Sequence, residues 1–190
     1  MATVEVSPPL TRSVSESRFR DVIGRFASGV AVVTTHADDR DHGTTVSALS
    51  SVSADPPMLL VCLNKASNTG QAVGKAGRFM ANVLSSAQAD LAKRFAVKGP
   101  DKFAGVPVSR TPSGLPYLAD ALALLECVVV DQVAAGTHWV FIADVVAVGA
   151  TDGRPLTYYR GKFGGFHQRP PADGTAPSLS FATDPNMDLW

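Results

Sequence analysis

Apolar and polar positions along the chain follow two different periods. In "SESRFRDVIGRFASG", Phe19, Val22, Ile23 and Phe26 stand at i, i+3, i+4 and i+7, which predicts one apolar stripe on a helix. Ser15 or Ser17 supplies its N-cap and Gly29 its stop. The pattern then turns to strands. "VAVVTTH" (30–36) predicts a strand, "ADDRDHG" a polar turn, and "TTVSALSSVS" a second strand broken by Asp55-Pro56-Pro57. "MLLVCLN" predicts a buried third strand, "SNTGQAVGKAG" a short helix, "RFMANVL" a strand, and "SSAQADLAKRFAV" a helix opened by Ser85 or Ser86. A Pro/Gly-rich connection, "KGPDKFAGVPVSRTPSG", leads into "ALALLECVVVDQVA", "HWVFIADVVAVGAT" and "PLTYYRG", all strand-like. Residues 1–16 read as a flexible leader, 17–167 as one domain, and 168–190 as a Pro-rich tail in which the pattern, already fading from Lys162, is lost. Strands joined by short turns with helices at the margins predict a mostly β (α+β) fold, an antiparallel barrel with flanking helices.

Composition then removes whole classes of function. With 190 residues, 45% of them hydrophobic and 18% charged, the chain has the balance of a single folded domain. Lys+Arg and Asp+Glu both count 17, with no basic run. Nothing is therefore built to neutralise a phosphate backbone, and no nucleic-acid partner is expected. The N-terminus lacks an apolar signal region, and no apolar run approaches the roughly 18 residues of a membrane span. No membrane partner is expected, and the expected compartment is the cytoplasm. Cys62 and Cys127 lie inside apolar runs and read as buried free thiols. There is no G-x-G-x-x-G opening a helix, no G-x-x-x-x-G-K-[ST], no H-E-x-x-H and no G-x-S-x-G. His36, His42, His138 and His167 are scattered without ligand spacing, so no metal is expected. So little acid–base machinery leaves the chemistry to a cofactor.

Four stretches could serve one. "GTTVSALSSVSADPP" places the hydroxyls of Thr44, Thr45, Ser47, Ser50, Ser51 and Ser53 together; they suit a ligand with mixed polar edges, or simply a polar edge strand. "CLNKASNTGQA" runs from a buried strand into Asn64, Lys65, Ser67, Asn68 and Thr69, either an anion cradle or an ordinary N-cap. Lys102 and Phe103 pair a cation with an aromatic on a loop, usable for a phosphate or an adenine or plain surface decoration. "YYRGKFGGF" sets Tyr158, Tyr159, Phe163 and Phe166 around Arg160 and Lys162, a stacking site or a dimer interface. His138, at the mouth of an apolar strand, is either a functional imidazole or a half-exposed residue bonded to a backbone carbonyl.

The order of these pieces, "FRDVIGRFASGVAVVTT", "SVSADPPMLLVCLNKAS", "GRFMANVLS", "AKRFA", "DKFAGV", "GTHWVFIADV" and "PLTYYRGKF", resembles the short-chain flavin reductase family from about Phe19 to Phe163. The resemblance implies an FMN-binding split barrel, an antiparallel six- to seven-stranded Greek-key-like barrel. It implies an NAD(P)H:flavin oxidoreductase using FAD, with FMN possible, and NADH rather than NADPH. A homodimer is implied, as is a flavin-dependent monooxygenase that receives the reduced flavin by diffusion. The family's flavin contacts would fall on Thr45, Val46, Ser47, Ala48 and Ser51, on Cys62, Leu63, Asn64, Lys65 and Ser67, and on Asn82. Lys102 and Phe103 would lie toward the phosphate or adenosine end. His138 corresponds to the histidine of the family's "GDH" signature and, with Arg160 and Phe163, would hold the nicotinamide. Thr137 replaces that signature's aspartate, offering a hydrogen bond without a charge. No catalytic side chain is expected, because hydride passes directly once the two rings stand roughly 3–3.5 Å apart.

Overall fold

The computed structural model describes residues 13–99 and 101–167; most of the leader and the tail from Gln168 lie outside them. Helix α1 (Glu16–Ile23) is followed by β1 (Ser28–Gly29), β2 (Ala31–Ala37), β3 (Arg40–Val46), β4 (Leu49–Ala54) and β5 (Pro57–Asn64). Helix α2 (Asn68–Ala76) leads to β6 (Arg78–Val83), and a 3-10 turn at Ser86–Gln88 opens α3 (Ala89–Ala96). Then come β7 (Val108–Arg110), β8 (Pro116–Leu118), the long β9 (Ala123–Ala135) and β10 (His138–Ala150), and the hairpin of β11 (Leu156–Tyr159) and β12 (Lys162–Gly165).

Seven strands pair antiparallel in the order β3-β2-β6-β9-β10-β5-β4. The two end strands, β3 and β4, are neighbours in the chain with only Ser47 and Ala48 between them. The sheet therefore bends back on itself as a split barrel, the mostly β fold that the sequence predicts. A three-stranded sheet, β1-β11-β12, and the β7–β8 ribbon lie outside it.

The reason lies in which faces are apolar. Along β2, Ala31 to Thr35 are all buried, because Val33 joins a cluster with Val61, Leu63, Phe79 and Phe141. Val32 joins a second cluster with Leu84, Phe95, Leu118 and Leu156. A strand covered on both faces reads as a continuous apolar run rather than as an alternation. β5, by contrast, alternates: Leu59, Val61 and Leu63 are buried while Leu60 and Cys62 are only half-buried, the period of a strand with one face in the core. The hydroxyls of Thr34 and Thr35, both fully buried, donate to the carbonyls of Pro116 and Arg78.

Asn82 is a structural residue, a correction to its expected flavin contact. It is 0% exposed. Its Nδ2 donates to the Val32 carbonyl at 2.8 Å and to Thr34 Oγ1 at 3.1 Å, while its Oδ1 accepts from the Leu118 amide at 2.8 Å. It pins β2, β6 and β8 together and has no atom left for a ligand.

Five local expectations also change. "TTVSALSSVS" is two strands, split at Ser47-Ala48 so that the chain crosses from one end of the sheet order to the other. "ADDRDHG" is mostly strand: only Asp38 and Asp39 make the turn, both with left-handed φ (51° and 56°). The Pro/Gly-rich connection contains β7, and "KFGG" forms β12. Finally, α1 stops at Gly24 instead of Gly29 and has no buried residue. Phe19, Val22, Ile23 and Phe26 are 51% to 75% exposed, because the helix stands off the barrel instead of packing upon it.

Asn82→Ala is expected to lower stability by about 2–4 kcal/mol, since it strands a buried amide and a carbonyl. Urea unfolding should show a lower midpoint at an unchanged slope, with ligand affinity of the folded protein preserved.

Candidate active site

Because Leu59, Val61 and Leu63 point into the core, the next residues along β5, Leu60, Cys62 and Asn64, point outward. The pairing with β10 sets Ile142, Val140 and His138 opposite those three, on the same face. On the other side β4 brings Ser50 opposite Leu60, and the Cys62 amide donates to the Ala48 carbonyl at 3.0 Å. Over this face lies a hollow of about 850 Å³, within the usual range of about 300–1,000 Å³ for small-molecule sites. Ser47, Ala48, Leu49 and Ser50 form one wall, Leu60 and Cys62 the floor, and Tyr158 and Arg160 the rim. The opposite wall comes from Ile23, Gly24 and Phe26, with Asp21 beside them.

The lining has an apolar part and a hydroxyl part, and two cations, Arg20 and Arg160, at its edge. That donor set fits a flavin, whose ring has one apolar and one polar edge and whose side chain ends in phosphate. Burial pushes the Cys62 thiol above its ordinary pKa, so it stays protonated and serves as floor, not as nucleophile. Cys127, inside the barrel, is pushed up to about 12 by burial and by the neighbouring Glu126.

A second group of expected residues meets at the ends of β5 and β10. The Lys65 amide donates to the Thr137 carbonyl at 3.0 Å, and Lys65 Nζ donates to the Gly136 carbonyl at 2.8 Å while standing 4.8 Å from the Trp139 ring centre. Asn64 Oδ1 accepts from the Ala66 amide, and Ser67 caps α2, accepting from Gly70 and donating to the Asn64 carbonyl. Asn64 and Ser67 thus build the turn from β5 into α2, and Lys65 ties it to the Gly136-Thr137 turn that carries His138. His138 Nδ1 lies 2.9 Å from Thr137 Oγ1, so the histidine's partner is the adjacent hydroxyl, not a backbone carbonyl. His138 shares its face with Cys62 of the neighbouring strand, a diagonal pair roughly 7–8 Å apart, since Asn64, opposite His138, stands two residues from Cys62.

Other expected residues do not reach the hollow. Val46 and Leu63 turn their side chains into the core, 8% and 1% exposed. The Thr45 hydroxyl donates to the Ala92 carbonyl at 2.6 Å, tying β3 to α3. Lys102 Nζ donates to the carbonyls of Gly43 and Phe95 at 3.1 and 2.9 Å, and partial burial lowers its pKa. Phe103 packs edge-on to Phe95, centroids 5.0 Å apart, over Gly43, where a Cβ would come within 2.6 Å of the Phe95 ring. These two residues are a packing unit, and their expected role at a ligand's phosphate or adenosine is corrected accordingly. Ser51 is exposed on β4, and its neighbour Ser50 takes the place in the wall. Phe163 lines a separate hollow of about 610 Å³ with Thr157, Tyr159, Arg160 and Lys162.

Sequence reasoning missed the wall of Asp21, Ile23, Gly24 and Phe26. The signal was the stripe itself, which carries as much apolar surface as a core helix but belongs to a helix with no buried side.

Comparison with known proteins agrees with this geometry. Residues 23–167 match the model of the flavin reductase like domain. The chain is 49% identical over 153 residues to the reductase component of a 4-nitrophenol 4-monooxygenase/4-nitrocatechol 2-monooxygenase from Rhodococcus opacus, covering 80% of this chain and 82% of that one. It is 33% identical over 186 residues to HsaB, the reductase subunit of a flavin-dependent monooxygenase of Mycobacterium tuberculosis, covering 95% and 100%. Among solved structures, the NADH:FAD oxidoreductase SgcE6 of Streptomyces globisporus C-1027, in complex with NAD and FAD fragments, superposes with a TM-score of 0.76 at 30% identity, covering 83% of this chain and 94% of that one. With its barrel, its outward-facing hollow and these relatives, the chain belongs to the flavin reductase family, the NAD(P)H:flavin oxidoreductases that form the reductase components of two-component monooxygenases.

Proposed function

We propose that this chain takes hydride from NADH in preference to NADPH and delivers it to free FAD, with FMN accepted in its place. The reduced product then diffuses to a flavin-dependent monooxygenase. The observation that carries this reading is the hollow bounded by Ser47, Ala48, Cys62 and Arg160, continuous along one strand face with His138. The relatives whose names give a monooxygenase or NADH and FAD favour the same choice.

When bound, the flavin supplies the redox chemistry; the protein supplies the rest. Ser47 and Ser50 offer hydroxyls to the polar edge of the ring, where negative charge accumulates on reduction. Ile23, Phe26 and Leu60 exclude water from the apolar edge. Arg160 faces the anionic part of a ligand. His138, held by Thr137, presents Nε2 toward the nicotinamide carboxamide or a phosphate, and acts as a binder that moves no proton. Lys65 fixes the turn beneath it. Ser51 and Phe163, off the walls of the main hollow, contribute at its approaches.

The working unit is a homodimer. The exposed stripe of α1, together with Val130, Val133, Val146 and Val148 at 45% to 75% exposure, is more apolar surface than a single copy covers.

Mixing protein, NADH and free FAD or FMN should give flavin-dependent loss of nicotinamide absorbance. A protein that binds flavin yet oxidises neither nucleotide would be a flavin carrier instead. His138→Ala is expected to raise KM for NADH about 5- to 20-fold while flavin affinity, read by fluorescence quenching, stays put; unchanged NADH kinetics would remove the assigned role. Sedimentation at micromolar concentration should give twice the chain mass, and a monomer there would contradict the dimer.

A further inference from the structure

The turn between β11 and β12 has two residues, since Tyr159 pairs with Lys162. Both turn residues have left-handed φ, 49° at Arg160 and 79° at Gly161, the geometry of a type I′ turn. Glycine adopts this freely, and Asn or Gly is the usual first residue; a long side chain there is strained. A strained residue beside a cavity points to use of its side chain. Arg160 is the residue common to the 850 Å³ and 610 Å³ hollows, so its guanidinium stands at their junction. Its amide donates to the Gly24 carbonyl at 2.8 Å, which fixes the turn against the end of α1.

Among the described residues, one carboxylate faces that guanidinium. Asp21 Oδ1 lies 3.9 Å from Arg160 Nη2, with both side chains half exposed, 58% and 50%. The pair is loose and solvent-screened, and such pairs contribute little. A phosphoryl group offers the same guanidinium shorter, bidentate hydrogen bonds. Asp21 would not be stranded by the exchange, because its other oxygen, Oδ2, lies 3.5 Å from Arg25.

We propose that Asp21 is the resident counter-ion of Arg160, facing the guanidinium at the junction of the two hollows until a phosphoryl group of flavin or dinucleotide displaces it. Asp21 thus sets affinity by competing with the incoming anion for the guanidinium. The proposal rests on the reductase reading for the identity of the phosphoryl compound.

The test measures dissociation constants at low ionic strength for ligand pairs that differ in phosphate: FMN against riboflavin by fluorescence quenching, and NAD+ against nicotinamide riboside by calorimetry. Asp21→Asn should tighten the phosphate-bearing member of one or both pairs about two- to fivefold, leaving riboflavin and nicotinamide riboside unchanged. A response to FMN assigns the flavin phosphate, and a response to NAD+ the dinucleotide. The gain should vanish when Asp21→Asn is made in an Arg160→Gln background. It should be absent in Asp90→Asn, which removes the same charge from an exposed α3 pair with Lys93, outside the lining of both hollows. No tightening, weaker binding, or equal tightening of phosphate-free ligands would overturn the counter-ion role. A wild type that oxidises NADH with flavin while Asp21→Asn fails in this way sinks only the counter-ion; a wild type that binds no flavin sinks the reductase reading.

Discussion

The pairing of β5 with β10 decides where everything else goes. Its register, Asn64 opposite His138 and Cys62 opposite Val140, sends alternate residues to opposite faces. The same choice that buries Leu59, Val61 and Leu63 must turn Leu60, Cys62 and Asn64 outward. Core and site are therefore two faces of one decision. A slip of a single residue would exchange them, placing Asn64 in the barrel and Leu63 under the ligand. The core's free energy thus holds the site in register without any contact dedicated to that purpose.

The fold was largely legible in the sequence because the strands alternate or run apolar for reasons that single strands can express. β5 reads as half-covered, and β2 as covered on both sides. What could not be read were features settled by tertiary direction. "TTVSALSSVS" looks like one strand because nothing in Thr-Thr-Val-Ser announces that the chain leaves one end of the sheet order for the other at Ser47. β12 was hidden because Gly164 and Gly165 carry no strand signal of their own.

The site was legible in part, and the failures share a cause. Ser47, Ala48, Cys62 and Arg160, all singled out from the sequence, line the hollow. Thr45, Asn82, Lys102 and Phe103 are polar or aromatic residues of the right kind, yet their groups are spent inside the protein, on Ala92, Val32, Gly43 and Phe95. Residue type tells which groups can bond but not which bonds have already been made. The reverse error concerns Phe26 and Ile23, which look like core and instead line a wall. Only the position of α1 relative to the barrel separates these cases, and that is not a local property.

The placement of α1 has a consequence for traffic through the site. Its eight residues include none that is buried, so displacing this wall breaks no core contact, and local opening there is set apart from global unfolding. Within one copy this wall can shift while the barrel stays tight, and wall mobility and fold stability become quantities that evolution, or an engineer, can adjust one at a time.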